Sequence, residues 1–229
     1  MKKATVFALI VFGMAAANVA SADLVAQWDF NGNANDVSGN GYNGIVYGAT
    51  LTTDRFGNSN SAYSFDGVDD YIDIPGSESL NFAGGFELEA WVRFTETDWS
   101  NQIISKHISG TGGGYFLSAE RDNRLCFVIN GSGPVTSETY NDGQWHHVRG
   151  VYDGTTQYLY VDGFLKDQQA KTYTLFSTAT VHIGGGLDGG DNGCFIGDID
   201  DVRIYEIPEP ATLLLLGLGG LALLRKRKS

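Results

Sequence analysis

Phe86-Glu87-Leu88-Glu89-Ala90-Trp91-Val92-Arg93-Phe94 alternates without a break. Successive side chains of a strand point to opposite faces, so Phe86, Leu88, Ala90, Val92 and Phe94 form an apolar face; Glu87, Glu89, Trp91 and Arg93 form the other. Such a strand belongs to a sheet that packs one side on a second layer. Further on, Trp145-His146-His147-Val148-Arg149-Gly150-Val151-Tyr152 leads through Asp153-Gly154 into Gln157-Tyr158-Leu159-Tyr160-Val161, and Asp162-Gly163 leads into Phe164-Leu165-Lys166. Asp-Gly supplies the positive φ of tight hairpins, which predicts a three-stranded antiparallel meander. Across residues 23–206, short apolar or alternating runs recur about every 8–15 residues between Gly, Asn and Asp clusters, with no long helical period. The prediction is an all-β sandwich or barrel.

The two ends read as addresses. Residues 1–22 carry Lys2 and Lys3, an apolar run from Ala4 to Ala17, and Ala20-Ser21-Ala22, the small-x-small pattern that signal peptidase cuts. Cleavage is expected before Asp23. At residues 207–229, Pro208-Glu209-Pro210 precedes the apolar stretch Ala211–Leu224, expected to be a helix, and Arg225-Lys226-Arg227-Lys228 closes the chain. A basic cluster after an apolar helix stays on the cytoplasmic side, which places the body across the membrane. The 14 apolar residues are short for a permanent span, so the segment is expected to anchor only transiently. This order of motif, helix and basic end resembles the PEP-CTERM sorting signal. The resemblance implies processing by an exosortase in a Gram-negative-type bacterium that makes exopolysaccharide, with the product at the cell surface, at the outer membrane or in the matrix.

The body, residues 23–206, has the size of one domain. The chain has net charge -12; the ends hold six of its 15 Lys+Arg but only Glu209 of its 27 Asp+Glu, leaving 9 against 26 and a body near -17. That field repels phosphate backbones, so nucleic acid is not an expected partner. Cys126 and Cys194 permit one disulfide in an exported protein without requiring it; Cys126, within the apolar run Leu125–Ile129, equally suits a small buried residue.

Several segments, in order, resemble laminin G-like domains of the concanavalin A-like jelly-roll superfamily. They are Trp28-Asp29-Phe30 with Asp36–Gly41, Phe65–Ile72, Phe86–Val92, Gly143–Val148 with Tyr152–Gly154 and Tyr160–Gly163, and Gly197–Tyr205. The resemblance implies a jelly-roll sandwich of two antiparallel sheets with the first and last strands adjacent. It also implies a structural Ca²⁺ between those strands, held by Asp29, backbone near Gly67 and Asp200.

Catalysis needs a placed acid and base or a nucleophile. Glu87 and Glu89 lie on one strand face about 7 Å apart by strand rise, near the separation of a glycosidase pair. The Glu-x-Asp-x-x-Glu arrangement of laminarinase-type hydrolases is absent, so they read as solvated outer-face carboxylates. His146 and His147 point to opposite faces and cannot chelate one metal together. Sugar binding needs an exposed aromatic plane beside polar groups. Trp28, Trp91 and Trp145 read as packing residues, whereas Trp99, in the polar loop Thr95–Gln102, is the leading platform candidate, followed by Tyr115 and Tyr140. The expected function is a non-catalytic recognition or adhesion module for a glycan or surface protein. A passive component of an exopolysaccharide matrix, and a glycoside hydrolase or lyase, are the alternatives.

Overall fold

The computed structural model describes residues 22–97, 101–107, 113–172, 177–185 and 193–208. Among them are fourteen strands: β1 Asp23–Trp28, β2 Ile45–Tyr47, β3 Thr50–Thr52, β4 Ala62–Asp66, β5 Tyr71–Ile74, β6 Gly85–Arg93, β7 Asn101–His107, β8 Gly114–Ala119, β9 Leu125–Ile129, β10 His146–Tyr152, β11 Thr156–Val161, β12 Phe164–Ala170, β13 Val181–Ile183 and β14 Ile196–Ile207. One sheet runs β12-β11-β10-β6-β14-β4-β3, with β1 also on β14; the other runs β2-β5-β13-β7-β8-β9, and every pairing is antiparallel. The all-β, two-sheet jelly-roll prediction therefore holds. The signal peptide to Ser21 and the apolar tail lie outside the described residues.

Alternation decides which side of each strand is covered. Phe86, Leu88, Ala90 and Val92 of β6 are fully buried against Tyr115, Leu117, Phe127 and Ile129 of β8 and β9. The β10-β11-β12 meander forms as predicted, and Asp162 and Gly163 both have positive φ (52° and 79°), as a type I′ turn demands. The sheets approach closely at Gly150, where an added Cβ would stand 2.5 Å from ring carbons of Phe127. Only glycine admits that contact.

Strand β14 binds the sheet together. Its first half pairs with β4 and its second half with β1, while β6 lies along its other side. A bulge between Asp200 and Arg203, with Asp201 at φ 48°, puts both Asp200 and Asp201 outward while Ile199 and Val202 stay in the core.

Among the described residues, a lysine is buried on the core side. Lys106 of β7 is fully covered, and its Nζ donates to the carbonyl oxygens of Glu78, at 3.0 Å, and Ala179. Burial holds its ammonium at a pKa of about 8, although the charge of Glu78 works the other way.

Candidate functional site

The outer face of the six-stranded sheet carries a row of aromatic rings. Core-facing Ile72, Val181, Ile183 and Leu117 force Tyr71, His182 and Phe116 outward by alternation. Tyr47, on edge strand β2 and 44% exposed, stacks on Tyr71 at 4.7 Å and 16°. Tyr71 meets His182 edge-on at 5.5 Å, and farther across the sheet Phe116 packs edge-on with His107 at 5.8 Å. Polar groups stand beside the rings: Thr180 Oγ1 donates to Asp73 Oδ1 at 2.8 Å, and His182 Nε2 lies 3.3 Å from the same oxygen. Past Phe116, a cleft of about 850 Å³ opens against Val128, Cys126, Arg121, Arg124 and Gly133. Rings flanked by hydrogen-bonding groups, next to a cleft of ligand size, suit the apolar face and hydroxyls of a sugar.

The outer face of the eight-stranded sheet is instead closed by charge pairs. Register sets Glu89 opposite both Arg149 and Arg203. Glu87 takes Arg149 as a two-pronged partner, with Nη2 at 2.6 Å from Oε2; Glu89 accepts from Arg203 Nη1 at 2.9 Å and Tyr205 Oη at 3.1 Å, with His147 Nε2 at 3.3 Å. Arg93 pairs with Asp198 at 2.6 Å and lies 4.9 Å from the Trp145 ring. Both glutamates are only 7% exposed, which corrects the expectation of solvated carboxylates. Burial raises the Glu89 pKa, but hydrogen bonds and charge from His147 and Arg203 outweigh it and hold the group at about 2. A carboxyl held that low keeps no proton to give a leaving group. His147 turns to this face while His146 meets Asp142 and Asp162, the opposed arrangement alternation predicts.

Asp29 and Asp200 line one small cleft, but Gly67 does not join them: it adjoins Ile196, about 13 Å along β14 from Asp200 by strand rise. Arg55, in the same cleft, pairs with Asp200 and, at 3.1 Å, with Asp201. With Asp200 engaged by that guanidinium and Gly67 lying away, the structure does not bring Asp29, Gly67 and Asp200 together as one ligand set. Around Gly67 itself, carboxylate oxygens of Asp66, Asp69 and Asp70 lie within 4.8 Å of one another. Burial and the charges of Asp66 and Asp69 raise the Asp70 pKa, while the Asp66 N–H donated to it lowers it; the net direction is upward. Asp36 is a turn cap, accepting N–H bonds from Gln27, Ser38 and Tyr42.

Two aromatic candidates are withdrawn. Tyr115 is fully buried 4.8 Å from Phe86, facing the core because Lys106 and Leu117 set the parity of its strand pair; Tyr140 is 7% exposed, edge-on to His146. Trp99 lies outside the described residues, as do Glu209 and Pro210; Pro208 follows directly on β14. Trp28 is a packing residue, buried with Nε1 donating to Tyr42 O at 2.8 Å. Cys126 and Cys194 are buried and unbridged. Gly193, next to Cys194, accepts from Gln102 N of β7, whose partner Ser118 of β8 pairs with Cys126 of β9, so two strands lie between the cysteines, about 14 Å by strand spacing and beyond disulfide reach. Tyr47 and Phe116 lie in short apolar runs whose parity the sequence does not show, whereas the alternation Tyr71-Ile72-Asp73-Ile74 is the signal that turns Tyr71 outward.

Residues 66–209, well over half of the chain, match the family described as Concanavalin A-like lectin/glucanases superfamily, and residues 206–228 match the PEP-CTERM protein-sorting motif, which marks an exported protein of a Gram-negative-type bacterium. No curated protein matches the chain. Among solved structures, domain 4 of AbnA, an extracellular arabinanase of Geobacillus stearothermophilus in complex with arabinotriose, is similar at 22% identity and TM-score 0.64, covering 83% of this chain and 96% of that one. The binding domain of Paraclostridial Mosquitocidal Protein 1 (18%, TM-score 0.65) covers 85% of this chain and 51% of that one. Trypanosoma rangeli sialidase (18%, TM-score 0.62) covers 84% of this chain and 32% of that one. At these identities the likeness is one of fold.

Proposed function

We propose that this chain, which belongs to the concanavalin A-like lectin/glucanases superfamily, is an exported surface or matrix module that recognises glycans without catalysis. The observation that carries the reading is the aromatic row Tyr47–Tyr71–His182 on the outer face of the six-stranded sheet, with Tyr47 exposed at its end and the Phe116 cleft farther across the sheet. A pyranose or furanose stacks on Tyr47 while Asp73 and His182 take its hydroxyls. The AbnA domain, seen in complex with arabinotriose, matches over almost its whole length and supports a self-contained binding domain. Glu87 and Glu89, both held by arginines, speak against a hydrolase. The test is a glycan array, with arabinan fragments included, on wild type and Tyr47→Ala/Tyr71→Ala. Loss of binding at unchanged thermal stability is expected; retained binding in the double variant rejects this face. Wild-type silence on the array favours protein adhesion or a passive matrix role.

The same reading moves the structural Ca²⁺ from Asp29 and Asp200 to the Asp66–Asp70 turn, where three carboxylates offer hard oxygen ligands. Millimolar Ca²⁺ is expected to raise the melting temperature of wild type and not of Asp69→Asn. An equal response in both excludes that turn. Exosortase processing of the tail and transient anchoring through Ala211–Leu224 complete the reading.

A further inference from the structure

On the opposite side of the sandwich, Phe56 stands 74% exposed in the loop between β3 and β4. The loop is firmly built. Asp54 Oδ1 accepts N–H bonds from Phe56 at 2.9 Å and Asn58 at 2.8 Å, Oδ2 accepts from Asn58 Nδ2 at 2.9 Å, and Gly57 N–H returns to Asp54 O. The Arg55 guanidinium lies 4.5 Å from the Phe56 ring centroid and 4.8 Å from that of Trp91, fixed by Asp200 and Asp201. So much structure holding an apolar ring in water contributes little to folding, since a ring left exposed gains no burial energy. Beside it, a cleft of about 290 Å³ reaches the Asp29–Asn31 turn. Asp29 is set in place there, its Oδ1 accepting from Asn31 N at 3.2 Å and its Oδ2 from Asn31 Nδ2 at 3.0 Å, and each oxygen can accept further bonds.

We infer that this cleft is a second sugar subsite, separate from the six-stranded face, in which Phe56 stacks on a neutral sugar ring and Asp29, Asn31 and Asn58 hydrogen-bond its hydroxyls. The volume suits one ring rather than an extended ligand. Asp29, Asp54, Asp200 and Asp201 outnumber Arg55 and Arg203 around it, so uronates and sulfated sugars are repelled. The sugar class rests on the glycan reading of the six-stranded face; the location of the subsite does not. Two sites on opposite sheets make the chain bivalent, able to bridge polysaccharide strands with an avidity that neither site supplies alone.

The test is binding stoichiometry by calorimetry, on the full chain, with neutral glucan, galactan and arabinan hexaoses and a polyuronate of matched length. Thermal melts check the folding of every variant. Wild type is expected to take up about two equivalents of one neutral hexaose, Phe56→Ala one, Tyr47→Ala/Tyr71→Ala one, and the triple variant none. Wild type, but not Phe56→Ala, is expected to precipitate the parent neutral polysaccharide, and polyuronate uptake is expected to be equal in both. Phe56→Ala indistinguishable from wild type, preferential uronate binding in the cleft, or no neutral hexaose bound by wild type overturns the inference. Binding lost in Phe56→Ala and untouched in Tyr47→Ala/Tyr71→Ala would uphold it while rejecting the six-stranded face.

Discussion

Lys106 makes stability rise with pH, and Lys106→Met should remove that response. In the folded protein the ammonium is sealed from water and held by two carbonyl oxygens, with a pKa of about 8 against 10.5 in the unfolded chain. Between these values the unfolded state binds the proton and the folded state does not, so stability rises with pH across the window. Below pH 8 the buried charge is a standing cost. Integrating from pH 7.5 to 9.5, this one group gives wild type a gain of about 2 kcal/mol over a protein without it, while thiols and tyrosines titrate in both proteins and cancel in the difference. Lys106→Met cannot titrate, so its stability should stay flat by comparison. At pH 7.5 the variant sheds the desolvated charge but leaves the carbonyls of Glu78 and Ala179 without this donor, at about 1 kcal/mol each, so the two proteins should be close. Urea unfolding followed by tryptophan fluorescence at half-unit pH steps measures the difference. Parallel pH profiles for the two proteins would refute the reasoning, because they would mean that the lysine reaches water or keeps its proton throughout.

Three further perturbations probe the rest of the structure. Gly150→Ala drives a methyl against the Phe127 ring and should cost about 1–3 kcal/mol; in urea unfolding the loss should shrink when combined with Phe127→Leu, and additivity would contradict the close approach. Arg55→Ala leaves two buried carboxylates short of a cation, for a loss of about 3 kcal/mol at pH 7.5. Burial, partly countered by Arg55, already raises the Asp200 pKa to about 6, so the loss should be smaller at pH 5.5, where the group protonates; equal losses at both pH values would show the pair to be solvated. A thiol-reactive chromophore should count two free thiols in the urea-unfolded, unreduced protein and react slowly with the native one, because burial and Glu120 raise the Cys126 thiol far above its ordinary pKa.

The architecture was legible because its signals are local. Strict alternation in Phe86–Phe94 needs no partner to be read, and Asp162-Gly163 states its turn geometry in two residues. What escaped depends on which strands become neighbours. Glu87 and Glu89 read as solvated because alternation alone turns them outward; only the register that sets Glu89 between Arg149 and Arg203 shows them paired. Asp200 read as a calcium ligand because Arg55 lies 145 residues away and meets it only where β14 exchanges β4 for β1. Tyr115 follows Gly112-Gly113-Gly114, which hides its parity, but β8 begins at Gly114 and pairing with Lys106 turns the ring inward.

Arg55 shows how one side chain can settle both the structure of a site and the ligands it admits. The bulge at Asp200–Arg203 turns two carboxylates outward from adjacent positions, and in water-poor surroundings that pair needs a cation. A metal would supply the charge from solution, leaving the site dependent on supply and open to competing ions. A guanidinium supplies it from the chain and at the same time lies over the rings of Trp91 and Phe56, at 4.8 and 4.5 Å. The cation that neutralises the β14 acids therefore also fixes the exposed Phe56 at the rim of the cleft. Arg55→Lys separates the two roles: it keeps the charge but not the planar stacking. It should lose far less stability than Arg55→Ala, yet lose the Phe56-dependent sugar equivalent in calorimetry. A lysine variant that retains that equivalent would show that charge alone, and not the clamp on the ring, builds the subsite.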